Sequence, residues 1–397
     1  MLDTPVAPTE ATSDQPGEPG RIDTRPLGLR FTQVVAGSVG FLLLTVGAFW
    51  YQFHRIAPDD AAPRWDHLRW GYLWLILLCL PLESLAAAVR TWVVYRTLQP
   101  SVRVWTCLKA EWVNVALNTL TPSHLGGGPG QIYIFSREGV SVGRAFTASL
   151  LSFVGTMVGL LCLGVYSLVS SSTDVMRPLF EATAWTLLAM SGAMALASVW
   201  PAAFRGALAC GSSTMRRLGL ARHPLQDWWP SDEVRTGPPA ARVGRLARRL
   251  LDLIYAYRAD TVHFFRAGKL GFVWVSLLGL AFLLARALLA YLCIRFLGID
   301  TASLHHVIEI QMALIFLIFF APTPGGAGLA EGASLALMAQ IVPIGFAPYY
   351  NLLWRFTTVY IGTLAGIVVL GRALVHDDRA VYEDWGAIWQ VRIEGFS

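Results

Sequence analysis

Long apolar runs alternate along this chain with short charged stretches. Six runs approach or exceed about 20 residues, the length that crosses a hydrocarbon core: Phe31–Phe53, Trp70–Leu98, Ala145–Val169, Ala182–Trp200, Leu270–Phe296 and Tyr350–Leu370. Two further apolar regions, Trp105–Phe135 and Val307–Ile341, are interrupted. The first break reads Thr121-Pro122-Ser123-His124-Leu125-Gly126-Gly127-Gly128-Pro129-Gly130-Gln131, the second Thr323-Pro324-Gly325-Gly326-Ala327-Gly328-Leu329-Ala330-Glu331. Proline lacks the amide a helix needs and glycine loosens the backbone, so neither region is one continuous helix. The limbs around the second break are too short for comfortable spans. Both regions therefore read as re-entrant helical hairpins; for the second, two short tilted spans remain the alternative. The fold class is all-α: about six full spans plus two re-entrant hairpins in a polytopic membrane protein.

Composition agrees with this pattern. Of 397 residues, 55% are hydrophobic and 14% charged, against about 25% charged in soluble domains. The net charge of +5 comes from arginines in loops beside apolar runs, which is a membrane-topology signal and not a nucleic-acid one. The five cysteines form no CxxC pair, and most lie inside apolar runs, so they read as small buried hydrophobes. Residues 1–30 are rich in Pro, Thr, Asp, Glu and Gly and read as a disordered tail. They are not a signal peptide, because no basic start leads directly into a short apolar core.

Basic residues orient the layout. Arg21, Arg25 and Arg30 place the N-terminus in the cytoplasm. With the first hairpin returning to its own side, Arg96, Arg103, Lys109, Arg137 and Arg144 also fall inside. So do the Arg-rich loop at 201–269 and, after the last span, Arg372 and Arg379. Arg55, Arg64 and Arg69 fall outside and weaken the signal there. Three full spans then separate the hairpins, so they enter from opposite faces. The halves resemble an inverted repeat, each with an arginine-bearing helix before its hairpin, around Arg90 and Arg286. Broken helices meeting near the midplane are a common build of alternating-access transporters. Within the basic loop, Ala240–Tyr257 carries Val243, Leu246, Leu250, Leu253 and Tyr257 on one face, with arginines at the sides. That suits a helix lying on anionic lipid headgroups, or an ordinary solvated helix packed on its own protein. The domain layout is thus a tail at 1–30, a transmembrane domain at 31–373 containing the basic loop, and a cytoplasmic tail at 374–397.

Charges inside apolar runs mark pathways or pair with one another. Glu83 and Arg90 share one helical face two turns apart, so each needs a partner on another element. Arg286 lies mid-run, Arg355 starts the last span, and Glu331 follows the second break. Glu111 and Glu309, nearer the interface, read as structural partners. A half-helix beginning at a glycine break offers free amides and a favourable dipole to an anion, and arginine adds bidentate phosphate recognition. The candidate substrate-binding set is Arg90, Gly126, Gly127, Gly128, Gln131, Arg286, Gly325, Gly326, Gly328, Glu331 and Arg355. The glycines have a plainer use in close helix crossing. No catalytic residue, metal ligand or cofactor motif is expected. His124 in the first break is weak evidence for proton shuttling.

At these residues the chain resembles a known family. Ala116-Leu117-Asn118, Pro122, Gly126 to Tyr133 and Arg137-Glu138-Gly139-Val140 look like the first signature of the lysylphosphatidylglycerol synthase transmembrane, or flippase-like, family. Pro322 to Glu331, then Leu353-Trp354-Arg355 and Tyr360, resemble the second. The resemblance covers roughly residues 35–373. It implies translocation of lipids, including aminoacylated phosphatidylglycerol and polyprenyl-linked sugars. The chain lacks the soluble aminoacyl-transferase domain of the bifunctional synthases, which argues against synthase activity. It has Ser152-Phe153-Val154-Gly155 where many members carry an acidic and basic pair. The expectation is a non-enzymatic translocase of a phospholipid or polyprenyl-phosphate-linked lipid in a bacterial cytoplasmic membrane, both termini cytoplasmic. The alternatives are an ion-coupled small-solute transporter and a membrane-embedded transferase.

Overall fold

The computed structural model describes residues 31–56, 66–121, 126–170, 256–319 and 321–374, with a few positions between 178 and 192. The terminal tails, the break residues 122–125 with His124, most of the run at Ala182–Trp200 and most of the basic loop, including the helix expected at Ala240–Tyr257 as far as 255, lie outside the described residues.

Among the described residues the structure is helical throughout. The principal helices are α1 (Phe31–Arg55), α2 (Trp70–Leu98), α3 (Val104–Leu120), α4 (Gly127–Arg137) and α5 (Val142–Ser170), then α6 (Lys269–Phe296), α7 (Leu304–Phe319), α8 (Leu329–Met338) and α9 (Ala347–Arg355). A further helical segment covers 256–267. After Arg355 the chain makes a π-helical turn at Phe356–Tyr360 and continues as helix to 374. Four helices among the described residues are long and apolar enough to cross a membrane: Trp70–Leu98, Val142–Ser167, Leu270–Phe296 and Ile344–Leu374. Each coincides with an expected run, and α1 covers the first run. Leu43, Val46, Trp74, Leu78, Leu270, Trp274 and Leu364 are exposed on these helices. Such an apolar exterior is stable against lipid, not against water.

Named contacts fix how the helices run. Arg69 donates its amide to the Phe296 carbonyl (3.0 Å), Cys79 lies 3.6 Å from the Ala285 carbonyl, and Glu83 lies 3.6 Å from Arg286. These pairs make α2 and α6 antiparallel. Arg69 and Arg295 both engage Asp300, clasping the start of α2 to the end of α6. α4 folds back along α3: Gly126 sits by Thr121, Gly130 by Leu117, and Gln131 bonds Glu111 at 3.1 Å. α8 likewise returns along α7, with Gly326 against Ile318 and the Thr301 hydroxyl 3.4 Å from the Ile341 carbonyl. The two breaks therefore close two helical hairpins.

The hairpins open toward opposite ends of the molecule. The first has its open end beside Tyr95 and Leu98, where Tyr95 packs on Phe135. The second opens beside Phe296 and Asp300. Their tips meet: a side chain at Gly325 would lie 3.1 Å from the Thr119 carbonyl and 2.9 Å from Phe41. Two apolar cores flank this junction, one with Tyr95, Val113, Phe135 and Leu151, the other with Leu283, Leu289, Ile294, Leu314 and Tyr350. In lipid the hydrophobic effect does not drive helices together, so close packing and polar contacts must.

Candidate functional site

A cavity of about 730 Å³ lies where the hairpin tips meet. Its wall draws on α2 through α7, the second break and α9. Most of the wall is apolar, from Phe146, Leu150, Met157, Leu160, Ile315 and Phe316. Arg90, Arg286 and Arg355 also face it, together with Glu111, Asn114, Asn118, Gln131 and Thr156.

Each arginine has a carboxylate on another element. Arg355 Nε donates to Glu331 Oε1 at 2.7 Å, and its Nη2 donates to the Gly325 carbonyl at 3.0 Å. Both side chains of this pair are essentially buried, at 2% and 0% exposure. Glu331 Oε2 also accepts the Gly328 amide at 2.7 Å, so one carboxylate caps α8 and fixes Arg355. Asn351 and Gln52 bond the Glu331 carbonyl at 3.3 Å each, which ties α1 to the same junction. The other pairs are looser. Arg90 Nη2 stands 3.9 Å from Glu111 and Arg286 Nε 3.6 Å from Glu83. Arg90 Nη1 donates to Thr156 at 2.5 Å, while its Nε is buried without a partner. Arg286 donates to the Thr358 carbonyl at 2.9 Å, within the π-helical turn. Both guanidiniums lie near the Phe282 ring, at 5.5 and 5.8 Å from its centre.

The structure thus brings Arg90, Arg286, Arg355, Gln131, Gly128 and Gly325 to one cavity. Gly126, Gly127, Gly326, Gly328 and Glu331 are not part of its wall. Their geometry gives them another use. A side chain at Gly127 would meet Asn114 at 2.1 Å and Asn118 at 2.3 Å, so glycine lets α4 begin directly against α3. Gly325, Gly326 and Gly328 take φ of 59°, 66° and 82°, the left-handed region that side-chain-bearing residues enter at a cost. The expected free amides at the half-helix starts are in part already occupied. Gly126 donates to the Thr121 hydroxyl at 2.8 Å and Gly127 to the Asn118 side chain at 3.0 Å. The first break therefore uses these donors in its own caps, which leaves the guanidiniums of Arg90, Arg286 and Arg355 as the cationic groups of the cavity wall.

Sequence reasoning treated Glu111 as structural and did not place Phe282, Thr156, Asn114 or the hydroxyls of Ser149 and Ser152. Both serine hydroxyls are buried without partners in residues that line the cavity. The signal available for Glu111 was its position on a broken apolar region, where any charge needs a reason.

These features define a multi-pass membrane protein, helical among the described residues, with a largely apolar cavity that several charged side chains face. Residues 35–366 match the model of the lysylphosphatidylglycerol synthase TM region, and the chain belongs to that family. A comparison with curated proteins returned no match.

Proposed function

We propose that the protein translocates a phosphate-bearing lipid, a phospholipid or a polyprenyl-phosphate-linked one, across a bacterial cytoplasmic membrane. The observation that carries this reading is the cavity itself. Three guanidiniums face a largely apolar chamber, which suits an anionic headgroup entering with its tails left in lipid. Family membership supports a lipid-related role. Arg90 and Arg286, whose ion pairs are long, serve as the headgroup contacts; Arg355, already held by Glu331 and Gly325, keeps the second break in shape. No chemical step is involved. The opposed hairpins and the antiparallel α2–α6 pair are what an inverted repeat with re-entrant hairpins requires, and such repeats place substrate near the midplane.

Reconstitution into phosphatidylcholine vesicles with fluorescent phosphatidylglycerol tests the reading. Wild type should speed exposure of inner-leaflet probe to an impermeant quencher, and Arg90→Gln should slow it at least tenfold. Gly128→Leu should also block it, since Gly128 faces the cavity with open space beside it. Transport of a soluble anion with no effect on lipid would replace this reading with the small-solute transporter.

A further inference from the structure

We propose that Glu111 is a proton site coupled to anion binding, a step that rests on the lipid reading above. A phosphate that engages Arg90 replaces Glu111 as the partner of that guanidinium, and Glu111 takes up a proton from water. The charges balance. Before binding, Arg90 and Glu111 sum to zero; afterwards a guanidinium, a phosphodiester anion and a neutral carboxylic acid also sum to zero. Without the proton, the site would hold a buried carboxylate with no ionic partner, which is costly.

The cavity's arginines are already matched by carboxylates: Arg90 by Glu111, Arg286 by Glu83 and Arg355 by Glu331. An incoming anion must therefore displace one carboxylate. Glu331 is poorly suited, because donors at 2.7 Å already engage both of its carboxylate oxygens and it does not line the cavity. Glu83 pairs at 3.6 Å but does not form part of the wall. Glu111 does line the cavity, and its separation from Arg90 is the longest of the three, at 3.9 Å. Arg90 keeps an unused buried Nε donor for a ligand, and Thr156 holds its other branch.

Gln131 suits both states of Glu111. Its Nε2 now donates to the carboxylate at 3.1 Å. Turned over, the same amide offers its oxygen to the O–H of the protonated acid. The groups facing Glu111 are Arg90 and Glu83 on α2, Cys107 one turn back on α3, and Arg286 and Arg355 across the cavity. α4 and α5 present neutral side chains there, Gln131, Ser149, Ser152 and Thr156. α1 and the second break meet α3 near Thr119, about two turns beyond Glu111.

Calorimetry of short-chain phosphatidylglycerol binding to purified protein, in buffers of different ionisation enthalpy, counts the protons. Wild type should take up close to one proton per lipid. Affinity should fall about tenfold per pH unit where uptake is complete. Glu111→Gln should bind with no uptake and no such pH dependence. Infrared difference spectra of wild type provide a measure that needs no variant: lipid should bring up a protonated-carboxyl band, shifted in Glu111→Asp. Lipid binding without proton uptake or that band, or uptake that persists in Glu111→Gln, overturns the coupling alone. Absence of lipid binding by wild type at every pH overturns the lipid reading and the coupling together.

Discussion

Arg355 and Glu331 tie the second break to the start of α8. One carboxylate accepts from a guanidinium and from the amide at the start of α8, while the guanidinium reaches the carbonyl of Gly325. Glu331→Gln would leave Arg355 charged and about 98% buried without an ionic partner, which costs about 3–5 kcal/mol. The thermal midpoint in detergent should fall accordingly. The double variant Glu331→Gln, Arg355→Gln should be less destabilised than the two single effects added together. Additive losses would show that the two side chains do not act as a pair. Sequence made these residues visible because charge in an apolar run demands a partner. It left the pairing open, because Glu83 meets Arg286 and Arg90 meets Glu111 only through the packing of separate helices. It also overstated the glycine breaks as anion cradles: Thr121 and Asn118, whose capping role depends on how the hairpin folds back, occupy two of those amides.

At the scale of the helix, the crossing of α5 and α6 is built on absent side chains. A Cβ at Gly159 would meet the Leu280 amide nitrogen at 2.8 Å, and one at Gly279 would meet the Gly155 carbonyl oxygen at 2.8 Å. Backbone cannot step aside as a flexible side chain can, so the helices would have to separate. Gly159→Leu or Gly279→Leu should therefore abolish a monodisperse peak in size-exclusion chromatography. Gly164→Leu, on the same helix with nothing within 4 Å, should leave it intact. A folded, stable Gly279→Leu protein would mean that close approach of α5 and α6 is not needed. The small-residue spacing of Gly155 and Gly159 is legible in sequence; its partner Gly279 is not, because nothing local says which helix lies opposite. The long helices were legible from apolar length alone. The π-helical turn after Arg355 was not, since it arises within an uninterrupted apolar run. It supplies the Thr358 carbonyl that Arg286 holds, and such turns recur at functional sites.

Among the described residues the two ends of the molecule differ chemically, and the difference predicts an orientation. α2 and α6 run in opposite directions, α5 brings Tyr166 to His305 at 2.9 Å, and Arg137 donates to the Ala373 carbonyl at 2.8 Å. Thr147 bonds Asp260 at 3.3 Å, which places the segment 256–267 beside the start of α5. These contacts gather Arg96, Arg103, Lys109, Arg137, Arg144, Arg258, Arg266 and Arg372 at one end. The opposite end, with the 298–306 connection, carries Arg55, Arg69 and Arg295, and the last two are neutralised by Asp300. Basic residues in short loops stay in the cytoplasm, so the first end should face inward. Cys210, within the basic loop, should resist an impermeant thiol reagent in intact cells and react once the membrane is opened. Thr301→Cys, at an exposed position beside Asp300, should react from outside; Cys79, Cys107 and Cys293 are buried and should contribute little background, while Cys162 is exposed and should be replaced first. Labelling of Cys210 from outside, with protection at 301, would invert the whole molecule. The cavity and its ion pairs would survive that result, but the cytoplasmic face, and with it the leaflet from which each hairpin opens, would have to be exchanged.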